Sequence, residues 1–386
     1  MKSDSSPPWG DVRVVTLEQA VAAPFCSRQL ADMGADVIKV ERPDGGDFAR
    51  AYDGALHGLS AYFAWLNRGK RSITLDLKTA GDREVFARLL ERADVFIHNL
   101  APGAVESLGF GYPSVAKDNP RLIWCAISGY GPDGPYRDKK AYDLLVQAES
   151  GVMSLTGTAQ VPSKVGISIA DIASGLYGYS SILAALLNRT KTGNGERIEI
   201  SMLECLAEWA TPAIYVWQGT GKTPARSGAR HNMIVPYGAY PCADGIVTFA
   251  IQNDREWRRF CSDVLRMPEL LDDGRFATNA KRLGQRNELE KIIEQYLGTL
   301  TRSEVMTRLD AAKIANGEIN DVAAVARHPQ LIARQRWVNV PSPSGDIPAL
   351  IPPHNLESAP PQMRPVPALG EHSEEILAEL GFRSEK

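Results

Sequence analysis

Hydrophobic residues in the first half of the chain come in short runs, and amphipathic stretches with helical spacing lie between them. The predicted strands are Val12–Val15, Asp36–Val40, Val95–Ile97, Leu122–Ile127 and Arg197–Met202. The predicted helices among them are Pro24–Met33 and Asp82–Arg92. Strands that alternate with helices are typical of a parallel sheet covered on both faces. The pattern therefore predicts an α/β fold with a Rossmann-like large domain.

The pattern changes after Ala210, where Trp, Gly, Thr and Pro accumulate and indicate a linker. Beyond it, one strand and two helices predict a second, smaller α+β domain. These elements are Val247–Ile251, Asp254–Leu265 and Arg302–Ala312, the last with a capping box of Thr301 and Glu304. A final helix is predicted at Ser373–Leu380. The predicted boundaries are residues 1–210 for the large domain, 211–228 for the linker, 229–340 for the small domain and 341–386 for a segment that returns to the large domain.

A long apolar helical pattern covers Ala170–Leu187, with Gly175 and Gly178 inside it. Its most apolar stretch, Ser181–Leu187, is too short to span a bilayer, which takes about 20 apolar residues. Residues Met1–Gly10 are polar and do not have the pattern of a signal peptide. We therefore expect a cytoplasmic protein that does not enter a membrane.

Composition and spacing argue against several classes of partner. The net charge is -3, from 43 Lys and Arg against 46 Asp and Glu, and this balance does not favour nucleic acid. The five cysteines are widely spaced without a Cys/His pattern typical of metal ligands, so we expect reduced thiols and no metal site. The first strand is followed by Thr16–Pro24 without a GxGxxG motif, so a dinucleotide site is not expected.

Three segments could carry chemistry. Arg42 follows the second strand, and its guanidinium is either suited to a phosphate or solvated in a surface loop. Asn67–Lys78 is a dense basic run that is either a solvated face or a site for a polyanion. Asp171 lies in the apolar, small-residue segment Gly166–Gly175. Spacing leaves three interpretations of Asp171 open, namely a helix cap, a buried acid held by hydrogen bonds, and a nucleophilic carboxylate.

Taken in order, the segments of this chain resemble the class III CoA-transferases, the family of formyl-CoA transferase. The segments that carry the resemblance are Gly34–Pro43, Asn67–Leu75, Ala93–Gly103, Gly129–Pro135, Leu187–Glu196 and Leu369–His372. Single segments are weak signals, whereas their common order and spacing cover nearly the whole chain. The resemblance implies a CoA-binding large domain, an interlocked homodimer, CoA as a substrate and no permanently bound cofactor.

The resemblance also implies roles for individual residues. Asp171 matches the catalytic aspartate of the family, which carries a covalent aspartyl-CoA thioester, and Val21 and Ala22 match the loop near the substrate thioester. The remaining implied CoA contacts are Arg42 at the adenosine phosphates, Leu75, Lys78, Asn99, Leu100 and Ala101 around the nucleotide, and Lys140 and Tyr142 beside the pantetheine chain.

The chain departs from formyl-CoA transferases at two positions. Val21 stands where those enzymes have Gln, which argues against formyl or oxalyl substrates, and Ser107 stands where some relatives carry a basic CoA contact. The α-methylacyl-CoA racemases share the fold, but they pair the aspartate with a histidine where this chain has Tyr142. Tyr142 in place of the histidine favours CoA transfer over racemisation. A non-catalytic acyl-CoA-binding protein is a further alternative to both enzymes.

The segment Gly228–Tyr237 resembles relatives that use succinyl-CoA with a small dicarboxylate. Arg230 or His231 could meet the distal carboxylate of the acceptor, or both could be loop residues at a domain junction. We therefore expect succinyl-CoA as donor and an acid such as mesaconate, itaconate or glutarate as acceptor.

Overall fold

The computed structural model describes residues 7–382, so the first six residues of the polar segment Met1–Gly10 lie outside the described part. The strands are β1 (Arg13–Leu17), β2 (Asp36–Glu41), β3 (Lys70–Thr74), β4 (Val95–His98), β5 (Ile123–Ser128), β6 (Glu196–Ser201), β7 (Tyr237–Cys242), β8 (Gly245–Ala250), β9 (Asn316–Gly317), β10 (Trp337–Val340) and β11 (Ile347–Leu350).

The helices are α1 (Ala22–Asp32), α2 (Ala61–Asn67), α3 (Ala80–Glu91), α4 (Ala104–Ser107), α5 (Tyr112–Asp118), α6 (Asp143–Glu149), α7 (Val152–Leu155), α8 (Ile169–Thr192), α9 (Met202–Thr220), α10 (Asp254–Arg259), α11 (Asn279–Gly284), α12 (Arg286–Leu297), α13 (Arg302–Ala311), α14 (Val322–Ala326), α15 (Pro329–Ala333) and α16 (Ser373–Leu380). Short 3₁₀ segments lie at Phe48–Ala51 and Pro268–Leu271, and a π-helical turn lies at Phe260–Val264.

Residue contacts divide the chain into two compact units. The first unit comprises the chain up to Val152, Val165–Ala210 and the chain from Gln330 onward, and the second comprises Met153–Lys164 and Thr211–Pro329. These bounds differ from the predicted ones at Met153–Lys164, which belong to the second unit and not to the large domain, at the linker and at the start of the return segment. The first ten residues of the predicted linker 211–228 are helical, because α9 continues past Pro212 to Thr220. The predicted boundary at residue 341 falls inside the antiparallel pair of β10 and β11, which belongs to the first unit.

The first unit is built on a six-stranded sheet in the order β3-β2-β1-β4-β5-β6 with every neighbouring pair parallel. This confirms the predicted α/β fold with a parallel sheet. The chain reverses its direction of winding between β1 and β4, and ligands of such sheets bind beyond the carboxyl ends of the strands at this reversal. The turns after β1 and β4 therefore define the place where a site is expected.

Alternate residues of each strand enter two different cores. Val14 of β1 packs in the core under α1 and α8, while Val15 packs in the core under α3, α5 and α16. The burial on both faces explains why the strands read as apolar runs instead of alternating ones.

Helix α8 is longer than the prediction based on Ser181–Leu187 allowed. It has 24 residues and, within residues 7–382, is the one helix that could cross a membrane by length and composition. The prediction of a stretch too short to span a bilayer was therefore wrong, because small residues such as Gly175 and Gly178 diluted the apolar pattern without ending the helix. Both glycines face α1, and α8 packs in the core through residues such as Ile182.

The basic run Asn67–Lys78 is mostly neither a solvated face nor a free polyanion site. Arg68 pairs with Asp32 at 2.9 Å and Lys70 pairs with Glu18 at 2.6 Å, both inside the first unit. Arg71 binds three carboxylates, those of Asp36, Glu375 and Glu379. These cations are paired with the chain's own acids, because Lys70 of β3 and Arg68 just before it are buried and Arg71 of β3 is half-buried.

The second unit contains the antiparallel sheet β7-β8-β9 and helices α10 to α13 around one apolar core. The predicted strand and helices of this region are confirmed within a few residues, as is the last helix, Ser373–Leu380. The capping box of α13 is present. The Thr301 side chain accepts a hydrogen bond from Glu304 N–H, and the Glu304 side chain accepts one from Thr301 N–H.

Candidate active site

Asp171 lies in the first turn of α8, and the structure removes two of its three sequence interpretations. The N-cap position is Ser168, so Asp171 does not cap the helix. The carboxylate that does satisfy this helix end is that of Asp143, whose Oδ1 accepts a hydrogen bond from Ala170 N–H at 2.8 Å. Within residues 7–382, no donor is found for the Asp171 carboxylate itself, so it is not an acid held by hydrogen bonds.

The surroundings of Asp171 disfavour its charged form. Burial raises its pKa from 3.8 to about 7, and the nearby charge of Asp143 adds to the shift. Asp143 is held in place because its Oδ2 accepts from Gln147 Nε2 at 2.7 Å, and Gln147 is fully buried. A carboxylate with a strongly perturbed pKa and no structural partner is a candidate for chemistry.

Close packing of α1 on α8 brings the predicted loop Val21–Ala22 towards Asp171. A side chain at Gly175 would lie 2.7 Å from Ala22 O, and one at Gly178 would lie 3.3 Å from Cys26 Sγ. The two helices therefore run in the same direction, and α8 begins six residues before Gly175, the residue that faces Ala22. Gly175 follows Asp171 by about one helical turn, so the turn that precedes Ala22 lies at the level of Asp171.

We expect Gly175→Ala to lower the unfolding free energy by about 1–3 kcal/mol through overpacking against Ala22 O, despite a gain in helix propensity. Gly219→Ala in α9 is the matched control, because nothing lies within 4 Å of a methyl group there. The control should melt at the same temperature as the parent or slightly above it. Equal melting temperatures for both variants would contradict the close approach.

Of the implied CoA contacts after β2 and β3, the two cations are exposed and Leu75 is buried. Arg42 is exposed, its Nε donates to Gly46 O at 2.9 Å, and its guanidinium lies over the Phe48 ring. Leu75 is buried directly after β3, and Lys78 is exposed three residues later. The terminal nitrogens of Arg42 and the ammonium of Lys78 are thus placed to meet an anion at the carboxyl edge of the sheet.

The residues after β4 fall into two groups. The side chain of Asn99 exchanges two hydrogen bonds of 2.9 Å with the backbone of Gln19, so it holds the turn after β1. Leu100 lines a cavity of about 240 Å³ beyond β4 and β5, and Ala101 is exposed beside it. Ser107 donates to Gly103 O at 2.7 Å, which gives no replacement for a basic contact.

His98 lines the same cavity and was not identified from the sequence. Burial lowers its pKa to about 3, so it is neutral, and neither ring nitrogen has a partner within residues 7–382. A histidine at the end of a buried strand carries no local signal that would have distinguished it.

Lys140 and Tyr142 are exposed on the segment that leads into α6. Tyr142 is 72% exposed at the N-cap position of α6, next to Asp143. The neighbouring Lys139 is committed to Glu149 and to the ring of Tyr136, at 4.2 Å from its centroid. No such partner is found for Lys140 within residues 7–382, so its ammonium is available to a ligand.

Arg230 and His231 lie in the second unit and differ in availability. Arg230 binds the carboxylates of Glu290 and Glu294 and stacks over Tyr240, which favours a structural role over contact with a substrate carboxylate. His231 stacks on Tyr237 with ring centroids 5.0 Å apart, and its Nδ1 accepts from Met233 N–H, which leaves Nε2 for a ligand.

Comparison with known proteins decides the family. The model of CoA-transferase family III matches residues 10–373. The chain belongs to CoA-transferase family III. This confirms the resemblance seen in the sequence, and the protein is a transferase that takes CoA thioesters as substrates.

The described residues contain no group of three or more His, Cys, Asp or Glu that could hold a metal ion.

Relatives within CoA-transferase family III match along the whole chain. The succinate–glutarate CoA-transferase of Agrobacterium fabrum is 38% identical and covers 97% of this chain and 96% of its own length. The succinyl-CoA:mesaconate CoA-transferase of Haloarcula hispanica is 34% identical, with 96% of each chain covered. A crystal structure of a CaiB/BaiF family protein from Brucella suis superposes with a TM-score of 0.83 at 36% identity, covering 96% of this chain and 98% of that one.

Proposed function

We propose that this CoA-transferase moves CoA from succinyl-CoA to a small dicarboxylic acid of the mesaconate, itaconate or glutarate type, through a covalent thioester on Asp171. The observation that supports the mechanism is the half-buried Asp171 carboxylate, which has a raised pKa and for which no hydrogen-bond donor is found among residues 7–382. The substrate class is supported by relatives named for succinate, glutarate and mesaconate.

The proposed reaction proceeds in two symmetric halves. An oxygen of Asp171 attacks the thioester carbon of the donor, the C–S bond breaks, and a mixed anhydride forms with release of CoA thiolate. The thiolate attacks the Asp171 carbonyl carbon and expels the donor acid, which leaves an aspartyl-CoA thioester. The acceptor carboxylate then repeats both steps in the opposite order and restores the Asp171 carboxylate. No net proton is consumed, and the thioester is conserved.

The environment of Asp171 suits this role because a partly desolvated carboxylate without a protein donor is a stronger nucleophile than a fully solvated one. The like charge of Asp143 and the burial that raise the pKa of Asp171 act on the resting enzyme. Both unfavourable effects on the Asp171 carboxylate are relieved when its negative charge passes to the departing thiolate. Ionisation of Asp171 is therefore a step that pH controls.

We expect kcat/KM for succinyl-CoA to rise between about pH 6 and 8 and then level off, because Asp171 must lose a proton whose pKa is about 7. Asp143→Asn should move this rise to lower pH, since it removes the like charge and keeps an oxygen for Ala170 N–H. A flat profile in the parent would contradict ionisation of Asp171.

The raised pKa of Asp171 also affects stability. The unfolding free energy should fall as pH rises from 3.8 towards 7, because in this range only the folded state still binds the proton.

The proposed substrate class is tested by a panel of free acids with succinyl-CoA as donor. Glutarate, mesaconate and itaconate should exceed formate and acetate in kcat/KM by at least about tenfold, since a charge-assisted bond to a second carboxylate contributes about 1.5–3 kcal/mol. Valerate is the matched control for glutarate, because it has the same chain length without the second carboxylate. Transfer confined to monocarboxylates would overturn the dicarboxylate assignment.

We also propose an interlocked homodimer in the cytoplasm, without membrane or nucleic-acid partners. The proposal is supported by exposed aromatic side chains on α9, among them Trp209 and Trp217, which are unusual on a free surface. The five cysteines are all free thiols, as is usual in a reducing compartment. A monomer in sedimentation equilibrium would contradict the dimer.

A further inference from the structure

The turn between β1 and α1 is anchored by a buried, charge-balanced cluster. Glu18 is fully buried, and its Oε1 accepts from Lys39 Nζ at 3.2 Å and from Lys70 Nζ at 2.6 Å. Lys39 Nζ also binds Asp47 Oδ2 at 2.7 Å. The two acids and two lysines of this cluster have side chains with no exposed area. Glu18, with which the turn begins, is therefore held rigidly in place.

Asp47 extends this cluster to the backbone of the turn itself. Its Oδ1 accepts from Ala20 N–H at 2.9 Å and from Ala49 N–H at 2.9 Å. Its own N–H donates to Glu41 Oε1 at 3.1 Å. Both oxygens of Asp47 are thus used, one on the charge cluster and one on the turn.

Ala20 needs such support because it has a φ of +61°. A residue with a Cβ atom in the left-handed region costs about 1–2 kcal/mol relative to a right-handed conformation. Strain of this kind persists only where the surroundings impose it, and it is concentrated at functional sites. The contact that fixes the amide of Ala20 is the one with Asp47.

The conformation of Ala20 determines where the next two residues lie. Val21 and Ala22 begin α1, and the backbone amides of Val21, Ala22 and Ala23 have no partner within residues 7–382. Ala22 O packs against Gly175, one helical turn after Asp171, and α1 runs parallel to α8, so these amides at the N-terminal end of α1 point towards the turn of α8 that carries Asp171. A different φ at Ala20 would rotate them away from the carboxylate.

We infer that Asp47 is a positioning residue for CoA transfer, which holds Ala20 in the left-handed conformation and so fixes the Val21–Ala22 turn beside Asp171. The inference rests on the proposed function. Amides held in place before the reaction stabilise the oxyanion of the tetrahedral intermediate without reorganisation during the step. Asp47 acts through this turn and touches no reacting atom.

The test compares Asp47→Ala with Asp47→Asn and with Asp32→Ala. Asp32 is the matched control, since it is an equally buried acid paired with two arginines at the opposite end of α1. We expect Asp47→Ala to lower kcat by about 100-fold, as loss of fixed oxyanion donors does, with little change in KM for succinyl-CoA. Asp47→Asn keeps an acceptor for Ala20 N–H and should recover most of this loss. Asp32→Ala should stay within about threefold of the parent kcat under conditions where it is folded.

A second variant covers the case in which Asp47→Ala does not fold. Lys39→Met combined with Asp47→Leu removes one buried charge of each sign and leaves Glu18 paired with Lys70. It should show the same selective loss of kcat. The inference is overturned if folded Asp47 variants keep the parent kcat, if Asp32→Ala loses as much, or if Asp47→Asn is as impaired as Asp47→Ala.

The aspartyl-CoA adduct separates this inference from the proposed function. Mass spectrometry of the parent enzyme after mixing with succinyl-CoA should show CoA attached to Asp171, and a parent without the adduct overturns the proposed function. If the parent forms the adduct and Asp47→Ala forms it at the same rate, the proposed function stands and the positioning role is wrong.

Discussion

Replacement of Asp171 with asparagine should reduce CoA transfer by at least about a thousandfold, as removal of a covalent nucleophile does in other enzymes. The amide has nearly the same shape but does not form the anhydride. The folded structure should be retained, and at pH 8 the melting temperature should equal or exceed that of the parent, because a carboxyl whose pKa burial has raised to about 7 is then ionised at a cost. The measurements are kcat and the mass of the enzyme after incubation with succinyl-CoA.

Asp143→Asn is the matched control for this prediction, since it changes the neighbouring carboxylate that caps α8. It should keep transfer activity and still form the adduct on Asp171. Inactivation by hydroxylamine in the presence of acyl-CoA should occur in the parent and in the control, and not in Asp171→Asn. An Asp171→Asn enzyme that retains a tenth of the parent activity would refute the nucleophile assignment.

The same variants distinguish transfer from racemisation at the α-carbon. A racemase would exchange the α-hydrogen of a 2-methylacyl-CoA with deuterium from the solvent and would form no adduct. Tyr142, which the sequence resemblance predicts at the position of the racemase histidine, is 72% exposed at the start of α6. Deuterium exchange without transfer would therefore have to use another base.

The largest effect on stability is expected from Lys39→Met, which should lower the unfolding free energy by about 3–5 kcal/mol. Although burial lowers it, the carboxylates of Glu18 and Asp47 raise the pKa of Lys39 above its ordinary value, so the side chain is charged. Its removal leaves Asp47 buried without a cation, while Glu18 still has Lys70. The melting temperature and the yield of folded protein report the change.

Lys117→Met is the matched control, because Lys117 is an exposed lysine of α5 in the same unit. Its melting temperature should stay close to that of the parent, since surface substitutions usually change stability by less than about 0.5 kcal/mol. A Lys39→Met protein as stable as this control would show that the buried cluster does not support the turn.

The parallel sheet could be predicted from the sequence because each strand is a local apolar run between turn residues. Arg68, Lys70 and Arg71 show where local patterns fail. Their acidic partners Asp32, Glu18 and Asp36 lie 35 to 52 positions away in the sequence, so charge density alone suggested solvent or phosphate. Burial of a charge depends on contacts between strands, and no single segment displays them.

The candidate site, like the fold, could be predicted only in part from local sequence. Spacing left Asp171 with three interpretations, and the resemblance to a family favoured one. The N-cap position of Ser168 and the lack of a donor for the Asp171 carboxylate within residues 7–382 removed the other two. Asp47 and His98 had no sequence signal, since an acid in a Gly-rich turn and a histidine ending a strand are both common. Asp47 and His98 can be recognised as candidates only from the residues that the fold brings next to them.

Helix α16 has a consequence for the order in which the chain can fold during synthesis. Ile376 and Leu380 fill the core under α3, and Glu375 and Glu379 pair with Arg71 of β3. The ribosome must add about 240 further residues after β5 before this helix emerges. Until then the part of this core that Ile376 and Leu380 fill stays open beside α3, so the first unit completes its core only near the end of translation.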